Sequence, residues 1–280
     1  MIKVLVDSAS SITPPVAATL GLHLIPIKVT FGSESFLDGV DLDAPEFYRR
    51  LNSGEPLPVT SQPSPGDFYQ VFRRLTDDGS ELVCVLMSHQ MSGILLSAQT
   101  AREMLPGRAI HVFDTLNAST GEALLAMAAV ALAAAGRQAS EILARLEELR
   151  GQVRNYFVVD TLEFLHRGGR IGGASALLGT ALRIKPLLQV ANGRLEPLDK
   201  VRTRPKALAR LLDLMEAQTG REAPVWCAVG HGNCLSDALE VEEAVRSRFN
   251  WRRTIVLDVG PTISTHSGPG VLTVAMMRDA

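Results

Sequence analysis

The sequence predicts an α/β protein of two domains: an N-terminal parallel-sheet α/β/α domain over residues 1–155, then a C-terminal α/β domain with a mixed sheet over residues 156–280. Three observations lead there. Short β-branched runs at residues 2–6, 82–87 and 109–113 alternate with helical patterns at 68–75, 94–105 and 121–135. Such alternation builds βαβ units, whose parallel sheet is covered on both faces. The second half changes texture: runs at 187–191 and 194–198 flank Asn192-Gly193, a strong local hairpin signal that calls for a different sheet. At 280 residues, 46% of them hydrophobic, the chain can bury a core large enough for two domains.

The elements follow in order. Met1 to Asp7 reads as an opening strand, with no signal-peptide pattern. The longest apolar run, 123–135, is too short to span a bilayer and fits a buried helix. A helix is expected over 140–150 with Ser140 as its N-cap, because Ile142, Leu143, Leu146 and Leu149 form one apolar stripe. A strand at 156–160 then precedes the glycine-rich basic segment 167–173. Strands at 225–229 and 254–259 complete the second sheet.

Composition excludes several classes. Lys plus Arg number 28 against 30 Asp plus Glu, so no charge excess favours nucleic acid or an anionic membrane as partner. Three cysteines, Cys84, Cys227 and Cys234, leave an odd thiol and form no CxxC pair, which fits a soluble protein of the reducing cytoplasm. No phosphate loop, dinucleotide fingerprint or nucleophile elbow occurs. His231 and Cys234 lack two further ligands for zinc, so no metal or other cofactor is expected.

Four polar clusters interrupt the apolar pattern: 7–11, 60–65, 88–93 and 260–270. Ser92-Gly93 sits where a strand turns into a helix. Free N–H groups at such a corner, with a serine hydroxyl beside them, suit a carboxylate or phosphate oxygen. A serine there also serves as a plain helix cap. Thr60 and Ser61 lie in a proline-rich stretch that reads as a hydroxyl turn, and such residues often bond only their own backbone. His266 stands among Ser264, Thr265 and Ser267, where it can either hydrogen-bond a ligand or simply pack. A rival reading makes the protein a serine hydrolase of lipid esters, with Ser92, His266 and a carboxylate such as Asp7 as its triad.

Taken in order, these segments resemble the DegV family of fatty-acid-binding proteins. The resemblance runs through Asp7-Ser8, the 36–40 segment with Phe47-Tyr48, Thr60-Ser61-Gln62-Pro63-Ser64, Ser88 to Ser92-Gly93, Asp114-Thr115 and the 157–162 segment. It continues through Gly168-Gly169-Arg170-Ile171, Ile184-Lys185-Pro186, Lys200-Val201-Arg202, Gly260-Pro261 and the 266–270 segment. The family resemblance implies a lipid tunnel between the domains, and a non-catalytic subunit that presents a fatty acid to an ATP-dependent fatty acid kinase for acyl phosphate formation. Palmitate, stearate or oleate is the implied ligand, and Thr60, Ser61, Ser92, Gly93 and His266 are the implied carboxylate site. Arg170 is the implied contact for the kinase. Where the family commonly has a polar-aromatic stretch after Ser-Gly, this chain has Ile94-Leu95-Leu96.

Overall fold

The computed structural model describes residues 1–178 and 184–279. The chain opens with β1 (Ile2–Asp7), a 3-10 turn at Ser8–Ser10, α1 (Pro14–Leu20) and β2 (His23–Ile25). Next come β3 (Lys28–Phe31), β4 (Glu34–Leu37), α2 (Ala44–Leu51), β5 (Val59–Ser61) and α3 (Pro65–Thr76). They are followed by β6 (Glu81–Leu86), α4 (Ile94–Glu103), β7 (Ile110–Asp114), α5 (Thr120–Ala134) and α6 (Ala139–Gln152). The second half holds β8 (Arg154–Val158), α7 (Glu163–Arg167), a 3-10 segment at Gly172–Leu177, β9 (Lys185–Ala191) and β10 (Arg194–Val201). It ends with α8 (Arg204–Thr219), β11 (Val225–His231), α9 (Leu235–Arg248), β12 (Trp251–Asp258), α10 (Pro261–Ser267) and β13 (Leu272–Arg278).

The first sheet has the order β2-β1-β6-β7, and every pairing in it is parallel. Side chains alternate along its strands as the pleat requires. Leu5, Leu82, Cys84 and Leu86 pack against α3 and α4 on one face. Val4, Val6, Val83 and Val85 pack against α5 and α6 on the other. The expected α/β/α arrangement is therefore present.

Helix α5 explains its own composition. It is apolar around its whole circumference because its far side lies on the second sheet, against Ala228, Ala275 and Met277. Alanines at seven of its 15 positions let two sheets approach one helix closely. The second sheet, ordered β10-β9-β8-β13-β11-β12, is mixed, with β11 and β12 its parallel pair. Its opposite face is covered by α8 and α9. Asn192 and Gly193 both have positive φ, 50° and 79°, as a tight two-residue hairpin turn between β9 and β10 requires.

Three expectations need correction. The central strand β13 was not anticipated; its pairing partners β8 and β11 lie far away in sequence. Helix α6 starts one residue earlier than Ser140: Gln138 is the N-cap, and Glu141 reaches back to accept its N–H at 2.8 Å. The stretch around Thr60 is not only a turn. Val59–Ser61 forms strand β5 in a three-stranded antiparallel sheet of order β4-β3-β5, with Thr60 opposite Val29. This small sheet carries its own apolar cluster of Val29, Phe31, Leu42, Phe47 and Tyr48.

Candidate functional site

The site forms where the small sheet, the carboxyl ends of the first sheet and one end of the second sheet meet. Strand β5 contributes Thr60, half-buried, with Ser61 and Gln62 exposed beside it. Helix α10 contributes His266 from its last turn. Asp38, just beyond β4, fixes the start of that helix by accepting the Thr262 N–H at 3.1 Å. Thr60 Oγ1 and His266 Nε2 are 2.8 Å apart, a hydrogen bond that joins residues 206 apart in sequence.

The environment of His266 sets its charge. Burial, and then the positive charge of Arg170, push its pKa down to about 4, so the imidazole is neutral near pH 7. Its Nδ1 is buried and has no hydrogen-bond partner among the described residues. Gly168 lets the following loop pass close to the ring, since a Cβ there would lie 2.2 Å from Nδ1.

The loop between β6 and α4 supplies the other wall. The Met91 and Ser92 N–H groups both donate to Ser88 O, at 3.0 and 3.2 Å, which folds the loop into a tight corner. Ser92 Oγ accepts the Ile94 N–H at 3.2 Å from one residue ahead of Gly93, which is the helix N-cap, and its own hydroxyl proton remains available. The Gly93 N–H donates to Gln62 Oε1 at 3.0 Å. Arg170 crosses over this loop, with Nε donating to Met91 O at 3.1 Å and Nη1 to Gly168 O at 2.8 Å. It therefore braces the rim while remaining exposed.

Behind these polar groups lies a cavity of about 320 Å³. That size falls at the low end of the roughly 300–1,000 Å³ of small-molecule sites. Much of its lining is apolar, including Met87 and Ala118 from the first domain, Phe157, Val159 and Leu195 from the second, and Ile263 of α10. Thr60, Ser61, Ser92, Arg170 and His266 all line the same cavity. Gly93 does not line it, and its N–H is committed to Gln62. Gln62, Thr262 and the apolar wall were not singled out from sequence. The wall residues are dispersed along the chain and look like ordinary core.

The arrangement does not assemble a hydrolase. The Nε2 atom of His266 bonds Thr60 rather than Ser92, and its Nδ1 meets no carboxylate. Asp7 instead accepts the Ala9 and Met87 N–H groups, at 2.8 and 2.9 Å, and does not line the cavity. Without a base facing the serine, and a carboxylate orienting that base, the triad reading fails.

The chain also matches known proteins over its whole length. A family model described as uncharacterised protein, DegV family, covers residues 1–279. A DegV domain-containing protein of Halalkalibacterium halodurans is 35% identical over 270 residues, 96% of this chain and 95% of that protein. Among solved structures, a DegV family protein from Thermus thermophilus, described by its fatty acid binding, superposes with a TM-score of 0.94 at 31% identity, covering 99% of both chains. DegV of Bacillus subtilis, described as a fatty acid binding protein, gives a TM-score of 0.89 at 31% identity, again over 99% of both chains. The chain belongs to the DegV family.

Proposed function

We propose that this protein binds one long-chain fatty acid such as palmitate, stearate or oleate, holding its carboxylate at Thr60, Ser92 and His266 and its tail in the apolar cavity. The single observation that carries the reading is the cavity's mixed lining: Thr60, Ser92 and the His266 imidazole share one cavity with Met87, Phe157, Val159, Leu195 and Ile263. The solved relatives described as fatty-acid-binding support it.

The energetics favour that division of labour. Each buried CH₂ contributes about 0.8 kcal/mol, so roughly fourteen contribute on the order of 11 kcal/mol before association costs. Those costs are about 4–15 kcal/mol, so the tail supplies most of the affinity. A hydroxyl bonded to a carboxylate adds about 1.5–3 kcal/mol and decides which end faces outward. In the tautomer whose Nε2–H donates to Thr60 Oγ1, the threonine proton is free for the ligand, and His266 acts on the carboxylate through the threonine. Neutral donors hold the acid without an ion pair that would compete with an incoming phosphoryl group.

An exposed acid end fits delivery to an ATP-dependent fatty acid kinase, which would phosphorylate the carboxylate while this chain contributes no reacting group. Arg170, exposed at the rim, is the proposed point of kinase contact. Titration of the delipidated protein with a long-chain acid tests the head-group site. Thr60→Val combined with Ser92→Ala should weaken binding by about tenfold or more, the equivalent of roughly 1.5–3 kcal/mol. Wild-type affinity and wild-type acyl phosphate yield in that double variant would remove the assignment.

A further inference from the structure

We infer that Gln62 is a third head-group ligand, its side-chain amide oriented by the Gly93 N–H so that its two N–H donors face the bound carboxylate; this deepens, and rests on, the fatty-acid reading above. Two observations converge. The Oε1 atom of Gln62 accepts the Gly93 N–H at 3.0 Å, which settles the amide orientation, because only the oxygen can take that proton. The Nε2 atom makes no hydrogen bond among the described residues, and the exposed Gln62 side chain lines the cavity along with Thr60 and Ser92.

The glycine is part of the device. A Cβ on residue 93 would lie 2.5 Å from Gln62 Nε2 and 3.0 Å from Oε1, so the amide rests flat on the glycine backbone. Gln62 belongs to the small-sheet segment and Gly93 to the first domain's loop. The contact therefore pins the two walls of the mouth together at the point where an acid group would sit. In this arrangement the Gly93 N–H does not bind the ligand directly. It acts through Gln62, which converts one backbone donor into two side-chain donors placed over the cavity.

Glutamate separates the two halves of this role. Gln62→Glu keeps an acceptor for the Gly93 N–H but removes both donors and adds a negative charge, whereas Gln62→Met removes the brace as well. The measurement is affinity at pH 8 for a long-chain fatty acid and for the fatty alcohol of equal chain length. For Gln62→Glu, the acid should bind about 10- to 100-fold more weakly, as expected for lost hydrogen bonds to a charged group, while the alcohol changes less than about threefold. Wild-type affinity for the acid in Gln62→Glu, or an equal loss for acid and alcohol, would reduce Gln62 to a structural brace and overturn the inference. A wild-type protein that bound neither ligand would remove the lipid reading itself, and the inference with it.

Discussion

A neutral imidazole that shares one nitrogen with a threonine, and leaves the other unpaired in a buried pocket, responds strongly to an anion placed beside it. Burial and Arg170 hold His266 at about 4. A bound carboxylate would reverse part of that effect by favouring the imidazolium. NMR titration of the His266 ring should therefore give a midpoint roughly one to three pH units higher with a fatty acid than without. An unchanged midpoint would mean that the acid group lies elsewhere. The residues with a local signature were readable in the sequence: Thr60, Ser92 and His266 stand in hydroxyl-rich segments that break the apolar pattern. Gln62 was not, because its role depends on Gly93, 31 residues away, coming into contact through the fold.

At the level of elements, several polar links tie the small sheet and its neighbours to the rest of the molecule, and one of them runs through α2. Tyr48 of α2 is buried in the small-sheet cluster and donates its hydroxyl to Ser264 of α10 at 2.6 Å. Ser264 donates its own hydroxyl to Val259 O at 3.1 Å. The chain Tyr48–Ser264–Val259 thus aligns the sheet bearing Thr60 with the helix bearing His266. Tyr48→Phe removes one buried hydrogen bond, worth about 1 kcal/mol, and should lower the melting temperature by about 2–4 °C while speeding fatty acid release. A melt and a release rate equal to wild type would deny the link that role.

Legibility at this scale follows the range of each contact. The β9–β10 hairpin was evident because Asn192-Gly193 encodes its own turn. Strand β5 was hidden because it is only three residues long, adjoins two prolines and acquires extended pairing from β3, far upstream. Strand β13 was missed for a related reason: a short buried run after a glycine-rich segment becomes the middle of a sheet only through partners distant in the chain.

Across the whole molecule, α5 joins the two main sheets, and its first turn carries the least expected buried group. Glu122 is fully buried, and neither carboxyl oxygen has a geometrically well-formed hydrogen-bond partner among the described residues. Burial, and then the proximity of Asp7, raise its pKa well above the ordinary carboxylate range. Asp7 itself is raised to about 6 by burial, which outweighs its backbone hydrogen bonds. A pKa raised on folding contributes stability below the unfolded value, and that stability is lost as pH climbs toward the folded value.

The window for Glu122 extends furthest. Burial raises Asp38 only to about 6. The depressed pKa of His266 acts in the opposite direction, adding stability as pH rises from about 4 toward 6.5. Glu122, raised well above the ordinary carboxylate range, goes on eroding stability as the two aspartates finish ionising above pH 6. The loss approaches about 1.4 kcal/mol per pH unit while the carboxyl stays protonated in the fold. Glu122→Gln should therefore lose less melting temperature than wild type between pH 6.5 and 9. Parallel losses in the two proteins would mean that Glu122 is ionised in the native state.

The central claim is that the cavity behind Thr60, Ser92 and His266 is a fatty acid site, and mass spectrometry of an organic extract of the purified protein tests it most directly. Beside a buffer control, the account predicts a long-chain fatty acid near one equivalent per chain, and markedly less from the Thr60→Val, Ser92→Ala double variant. Extracts free of lipid, from a wild-type protein that also fails to take up added fatty acid, would contradict it.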